Sequence, residues 1–371
     1  MDAVGERRRP SWLAITRRIA TGLVLGIVLL VALALLLFPD ARYLAHAGVE
    51  EARILWRRRP IAALAANSAT PAGLRQRLAL VLAARQFGAD SLHLVVGGTY
   101  TTYVDVGRDT LLLVLSAARP DKLREYTWDF PIVGTVPYKG FFDAAAARRA
   151  ADDLTKGGYD VYLRPSDAFS TLGYFSDPLF STAISRDTME LVATVLHELA
   201  HNTLYVKSNT PFDESFASFV GYRGAEAFFR ARHDTVDAKR AAARWRDERI
   251  LDVFYAELAR RLDSAYAAPQ TPAALARTRS ELFGWARAQL SGTVGQGLET
   301  YDWRWFVRAP LNNAVVIAQR LYRMNLNLFD DIYLQNNANV TETIRSIQLR
   351  VLTGGADPYQ ALYSRRDQPP D

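Results

Sequence analysis

Residues 194–204 read TVLHELAHNTL, and no proline or glycine interrupts the segment 187–205. Leu191, Val195 and Leu199 recur at helical spacing, so this segment is predicted to be an amphipathic helix packed along one side. That inference constrains the rest of the chain. In a helix, positions i and i+4 share a face, so His197 and His201 point together with Glu198 beside them. Two imidazoles and an adjacent carboxylate in this pattern suit a divalent metal, with the glutamate placed to hold the attacking water. The competing reading is a helix carrying two ordinary histidines. With five histidines in 371 residues, a chance match to His-Glu-x-x-His is rare.

Zinc (Zn2+) is the metal such a donor set takes, with three protein ligands and one open position. The chain has no cysteine, so the third ligand must be His, Asp or Glu. The stretch NTPFDESFA at 209–217 opens another helix, with Thr210 as the expected cap, Pro211 at the first position and Glu214 one turn in. An antiparallel return through the turn 207–210 would bring Glu214 back toward His201. Glu214 can also be read as a first-turn carboxylate favoured by the helix dipole, and Glu226 is the reserve candidate. Asp213 reads either as an acceptor orienting a ligating histidine or as an exposed carboxylate of the cap region. His46, His93 and His233 lack such partners and read as structural. The implied chemistry is metal-assisted hydrolysis, with Glu198 moving the proton. Tyr322 is the candidate donor to the oxyanion, and Tyr301 reads rather as a core residue. Asn312 and Asn313 read as substrate contacts or as helix caps.

The run IATGLVLGIVLLVALALLLF at 19–38 carries no charge. It is long enough for a hydrocarbon layer of roughly 30 Å. Five arginines at 7–9, 17 and 18 precede it, which favours a cytoplasmic N-terminus and a catalytic part on the far side. Arginines 57–59 weaken that asymmetry, and a cleaved signal peptide is the alternative. The expected organisation is a basic tail at 1–18, a transmembrane anchor at 19–38 and a catalytic domain at 39–371. That domain divides into an α/β half at 39–185 and a helical half at 186–371. The net charge of +6 is spread along helices, as on solvated faces, and no aromatic-plus-basic module for nucleic acid is visible.

Helices are predicted at 49–64 and 71–86, the second capped by Thr70. Strands at 99–106 and 110–117 would form a hairpin at Gly107-Arg108. A helix at 143–156 ending on Gly157-Gly158 precedes a strand at 159–163. An extended run at 168–175 leads into the motif helix. Beyond it, helices are predicted at 211–232, 236–266, 272–290, 311–323 and 340–353. Strands first and helices second indicate an α+β class.

The runs FSTLGYFSDP (169–178), HELAHNTLYVK (197–207) and FDESFA (212–217) together resemble the central block of the bacterial predicted aminopeptidases, which are membrane-associated zincins. Similar stretches occur at 128–142, containing VPYKG, and at LNNA 311–314. The resemblance implies a zincin-like metallopeptidase fold at the inner membrane, with the catalytic domain in the periplasm and peptides as substrates. It makes His197, His201 and Glu214 the zinc ligands, Glu198 the catalytic glutamate, and 170–173 the edge strand receiving an extended peptide. This chain lacks the lipid-modified cysteine of many relatives and the Gly-x-Met-Glu-Asn exopeptidase motif. A zinc endopeptidase or amidohydrolase of the envelope, or a non-catalytic zinc-braced scaffold, are the alternative functions. Nothing in the sequence fixes an oligomeric state.

Overall fold

The computed structural model describes residues 12–130, 134–166, 177–184 and 186–363. Two compact units follow one another along the chain, 1–56 and 57–371.

In the first unit two helices, Trp12–Leu37 and Pro39–Trp56, are joined at Phe38. The Ile19–Leu37 stretch is long and apolar enough to cross a membrane. Its leucines, isoleucines and valines other than Leu35 are exposed, as a hydrocarbon-facing helix requires. The last carbonyls of that helix have no intrahelical donors, and the Arg42 guanidinium donates to those of Leu35 and Leu36 at 3.0 Å each.

The second unit mixes helix and small sheets, with every strand among the described residues lying between 59 and 180 and helices dominating afterwards. Leu112–Ala118 is the central strand of one sheet, antiparallel to Tyr138–Phe141 on one side and to Asp160–Ser166 on the other. A second sheet orders Arg59–Pro60, Thr102–Val104 and Leu179–Phe180. Trp128–Phe130 pairs with Gly134–Val136.

The expected hairpin at Gly107-Arg108 does not form. Gly107 does turn the chain, at φ 64° with its amide on the Asp105 carboxylate. The flanking strands nevertheless belong to different sheets, because Thr102–Val104 finds its partners 42 and 76 residues away, as the Thr102↔Pro60 and Tyr103↔Leu179 registers show. The helix expected at 49–64 is also broken. It starts at Pro39 and stops at Trp56, since Pro60 cannot donate within a helix and holds Arg59 extended. Pro71, not Thr70, occupies the cap position of Ala72–Asp90. The helix Ala144–Lys156 begins as expected, with Asp143 Oδ1 accepting from the Ala145 and Ala146 amides.

The motif helix, Thr188–Thr203, opens on Asp187, whose carboxylate accepts the Glu190 amide at 3.0 Å. Met189, Leu191, Val192, Val195, Leu196 and Leu199 are buried in the main core. Against it runs Thr210–Ala231, reached through a turn in which Ser208 adopts φ 64° and Asp213 Oδ1 accepts the Val206 amide at 2.8 Å.

Two glycines let these helices approach. A Cβ on Gly221 would lie 2.8 Å from the Ala193 carbonyl oxygen and 3.3 Å from His197 Cβ, and one on Gly224 would lie 2.9 Å from Leu196 Cδ1. Gly221→Ala is therefore expected to force the helices apart and to destabilise by about 1–3 kcal/mol. Gly284→Ala supplies the contrast. It sits mid-helix in Pro272–Ser291 with open space around its Cβ, and alanine there is expected to raise stability by up to about 1 kcal/mol. Thermal unfolding of both variants checks the pair, and equal behaviour would refute the close-packing account.

Candidate metal centre and cleft

The helix geometry brings His197 and His201 onto one face, and the returning helix presents Glu214 to them. Their ring nitrogens Nε2 are 3.2 Å apart. Glu214 Oε2 lies 3.3 Å from His197 Nε2 and 3.8 Å from His201 Nε2. Among the described residues these three form the one group with ligand atoms close enough to share a metal ion. Glu214 Oε2 is buried and receives no well-directed hydrogen bond despite these short distances. Its lone pairs and the imidazole nitrogens thus converge on a common point rather than on each other. Two imidazole nitrogens at 3.2 Å need a proton or a cation between their lone pairs.

Electrostatics follow the same arrangement. Burial, reinforced by the neighbouring His197, pulls the His201 imidazole down to about 4, which leaves it neutral and able to ligate at neutral pH. Burial also pulls on His197, but the carboxylates of Glu214 and Glu198 outweigh it and hold its pKa above the ordinary value. Glu214 shows the mirror effect. Burial pushes its carboxyl up, and His197 more than compensates, leaving it below the usual range. Glu198 is raised, by burial first and then by the charges of Glu214 and Asp177.

The His197 and Glu198 side chains face a cavity of about 430 Å³ that Tyr322 also lines. Tyr322 ends the helix Asn313–Leu321. Burial and the nearby Glu214 charge push its phenol up to about 12, so it stays a hydrogen-bond donor across the neutral range. Tyr301 lines the cavity but is engaged, donating to Glu248 with the Arg244 guanidinium stacked 3.9 Å over its ring.

The other candidates lie elsewhere. Glu226 is buried between Arg223 at 2.9 Å and Arg230. Asp213 is 3% exposed and serves the Val206 amide, so neither reading of it made from the sequence describes its place. Thr210 is the first residue of its helix, with Asn209 before it at the cap position. Asn312 caps its helix by accepting the Val315 amide at 3.0 Å, and Asn313 is buried, donating to the Arg119 carbonyl at 2.8 Å. His93 and His233 adopt positive φ and are not part of the cluster. The expected edge strand at 170–173 falls outside the described residues.

Several cavity residues carried no signal in the sequence. Arg164 and Tyr162 come from the strand Asp160–Ser166, Tyr100 from the loop after Ala72–Asp90, and Arg186 from just before the motif helix. Tyr100 is 2% exposed at φ 54°, an unusual backbone for a bulky residue, with its amide donating to the Asp177 carbonyl at 3.1 Å. Burial and the Glu198 charge hold its phenol well above the ordinary value.

Comparison with family models matches residues 42–353 to a family described as "Putative aminopeptidase". The chain belongs to that family. Membership points to peptide-bond hydrolysis as the activity. Neither the curated proteins nor the solved structures contain a match. The matched span includes the whole histidine–glutamate cluster and every described residue of the cavity wall.

Proposed function

We propose that this chain is a zinc-dependent, zincin-type aminopeptidase, tethered to a membrane by Ile19–Leu37 with its cleft on the periplasmic side. The observation that carries the reading is the convergence of His197 Nε2, His201 Nε2 and the otherwise unsatisfied Glu214 Oε2. Tetrahedral zinc with ligands at about 2.0–2.1 Å separates neighbouring ligand atoms by roughly 3.3 Å. The observed separations are 3.2, 3.3 and 3.8 Å, and two nitrogens with one carboxylate are a donor set that leaves a fourth position open.

When bound, zinc supplies Lewis acidity toward a carbonyl oxygen and toward water. The remaining work falls to the protein. Glu198, whose pKa burial raises, accepts the proton of the attacking water and delivers it to the leaving amine. The Tyr322 hydroxyl donates to the oxygen that becomes negative as the carbonyl is attacked. The cavity wall excludes bulk water and orients the peptide.

The test uses the full chain purified in detergent. It is expected to hold one zinc per chain and to cleave peptides with a free N-terminus while sparing their N-acetylated forms. Internal cleavage of acetylated peptides would replace the aminopeptidase reading by an endopeptidase one. A chain that takes up no metal would sink both.

A further inference from the structure

The cations around the cleft are unevenly satisfied. Arg323 Nε is 2.6 Å from Glu248, and Arg244, behind the wall, is 2.7 Å from Glu190. Arg186 donates to the Thr194 hydroxyl at 3.3 Å. Arg164 differs from all of these. It is half-buried, and among the described residues no carboxylate lies within ion-pair distance of it. Its guanidinium sits 5.9 Å from the centroid of the Tyr322 ring.

The strand explains where it points. Alternate residues of a strand share a face, and Tyr162, Arg164 and Ser166 all line the cavity that His197 and Glu198 face. Arg164 bears on Glu214 electrostatically, but the Glu214 oxygen nearest the histidines is turned to them and not to the guanidinium. A half-buried guanidinium with no counter-ion is costly, and such groups persist where a ligand completes them. Its planar fork of five N–H donors matches a carboxylate with two parallel hydrogen bonds. The cavity of about 430 Å³ is sized for a ligand of a few residues and not for a folded chain.

We propose that Arg164, held beside the Tyr322 ring, is a carboxylate-binding site inside the cleft, and that the preferred substrates are short peptides carrying a carboxylate close to the cleaved bond. This rests on the peptidase reading for the nature of the ligand, while the site itself is argued from a cation that has no carboxylate within ion-pair distance among the described residues. The carboxylate has two sources, the free C-terminus of a very short peptide or an acidic side chain.

The experiment is calorimetric titration of the zinc-loaded full chain in detergent, carrying Glu198→Gln so that ligand survives. The probes are Ala-Ala-Ala as free acid, the same peptide as C-terminal amide, and Ala-Ala-Glu with an amidated terminus. The free acid is expected to bind about tenfold or more tightly than the amide, the gain typical of a charge-assisted pair. Adding Arg164→Gln is expected to erase that ratio while moving the amide's affinity by less than about twofold. If the glutamyl amide matches the free acid, a side-chain carboxylate serves as well as the chain terminus, and if it matches the plain amide, the site takes the chain terminus alone. Equal binding of acid and amide, or binding of none of the probes, overturns the proposal. So does an equal loss for both ligands on Arg164→Gln in a chain that keeps its metal, with Arg164→Lys as the variant that retains charge should the glutamine form unfold. Discrimination by a chain whose native form cleaves nothing would leave the carboxylate site standing and remove the peptidase reading. Cleavage without discrimination would do the reverse.

Discussion

Replacing Glu198 by glutamine is expected to lower kcat by about a thousandfold while leaving metal content and melting temperature where they were. The expectation follows from where Glu198 sits. It neighbours His197 on the motif helix and faces the cavity, yet it is not among the three groups whose ligand atoms cluster. Glutamine keeps the shape and one hydrogen-bonding oxygen but cannot take up a proton. The loss is therefore that of a general base that later acts as an acid, typically 10²–10⁴-fold. Burial together with the charges of Glu214 and Asp177 raises the Glu198 pKa, so its removal is not expected to weaken the fold. The decisive comparison is steady-state cleavage of a free N-terminus peptide alongside metal analysis of the same preparation. Activity within tenfold of native would show that the proton is carried by another group.

Glu214→Ala and His201→Ala are expected to act differently, removing metal and activity together. Substitutions that merely support a ligand cost about 10–100-fold in metal affinity, so loss of a ligand from a set of three is expected to exceed a hundredfold. The same loss registers in stability. A metal held at about a thousand times its dissociation constant stabilises the folded chain by about 4 kcal/mol. In a domain of this size that corresponds to a melting shift of roughly 6 °C. Native chain treated with a chelator should melt lower by about that amount, and Glu214→Ala should start near the lower value and ignore the chelator. If Glu214→Ala still responds to chelation, the metal is bound somewhere else.

The family match over residues 42–353 agrees with a likeness already visible in FSTLGYFSDP, HELAHNTLYVK and FDESFA. It supports peptidase chemistry at the level of the family. The step from there to zinc and to Glu214 rests on geometry. In the same way the apolar helix Ile19–Leu37 is long enough for a tether, and the proposal for the side of the membrane rests on the arginines preceding it.

Legibility differed by element for physical reasons. The helices at Thr188–Thr203, Thr235–Ala267, Pro272–Ser291 and Val340–Thr353 were expected within a residue or two, because their periodicity, caps and lack of interruption are local properties. The helix Leu326–Gln335 was missed. It opens on Asn325 at φ 57° with no side-chain cap bond, so the usual start signal is absent. Strand partnership was misread at Gly107 because a turn residue reports a turn, not which sheet the next strand joins. Arg223, Arg249 and Trp245 all meet Asp330, at 2.6, 2.5 and 2.9 Å, across separations no local pattern encodes.

The motif helix marks the division most clearly. By itself the sequence determined that His197, Glu198 and His201 share a helical neighbourhood, since the i, i+4 relation follows from 3.6 residues per turn. It also limited the third ligand to a carboxylate or histidine and narrowed the candidates to Glu214 and Glu226. The tertiary structure shows which of the two lies beside the histidines. Gly221 and Gly224 allow one helix close enough to the other to set Glu214 Oε2 3.3 Å from His197 Nε2, whereas Glu226 is drawn into ion pairs with Arg223 and Arg230. Arg164 carried no signal in the sequence, because a strand residue becomes part of a cleft only when packing brings it there.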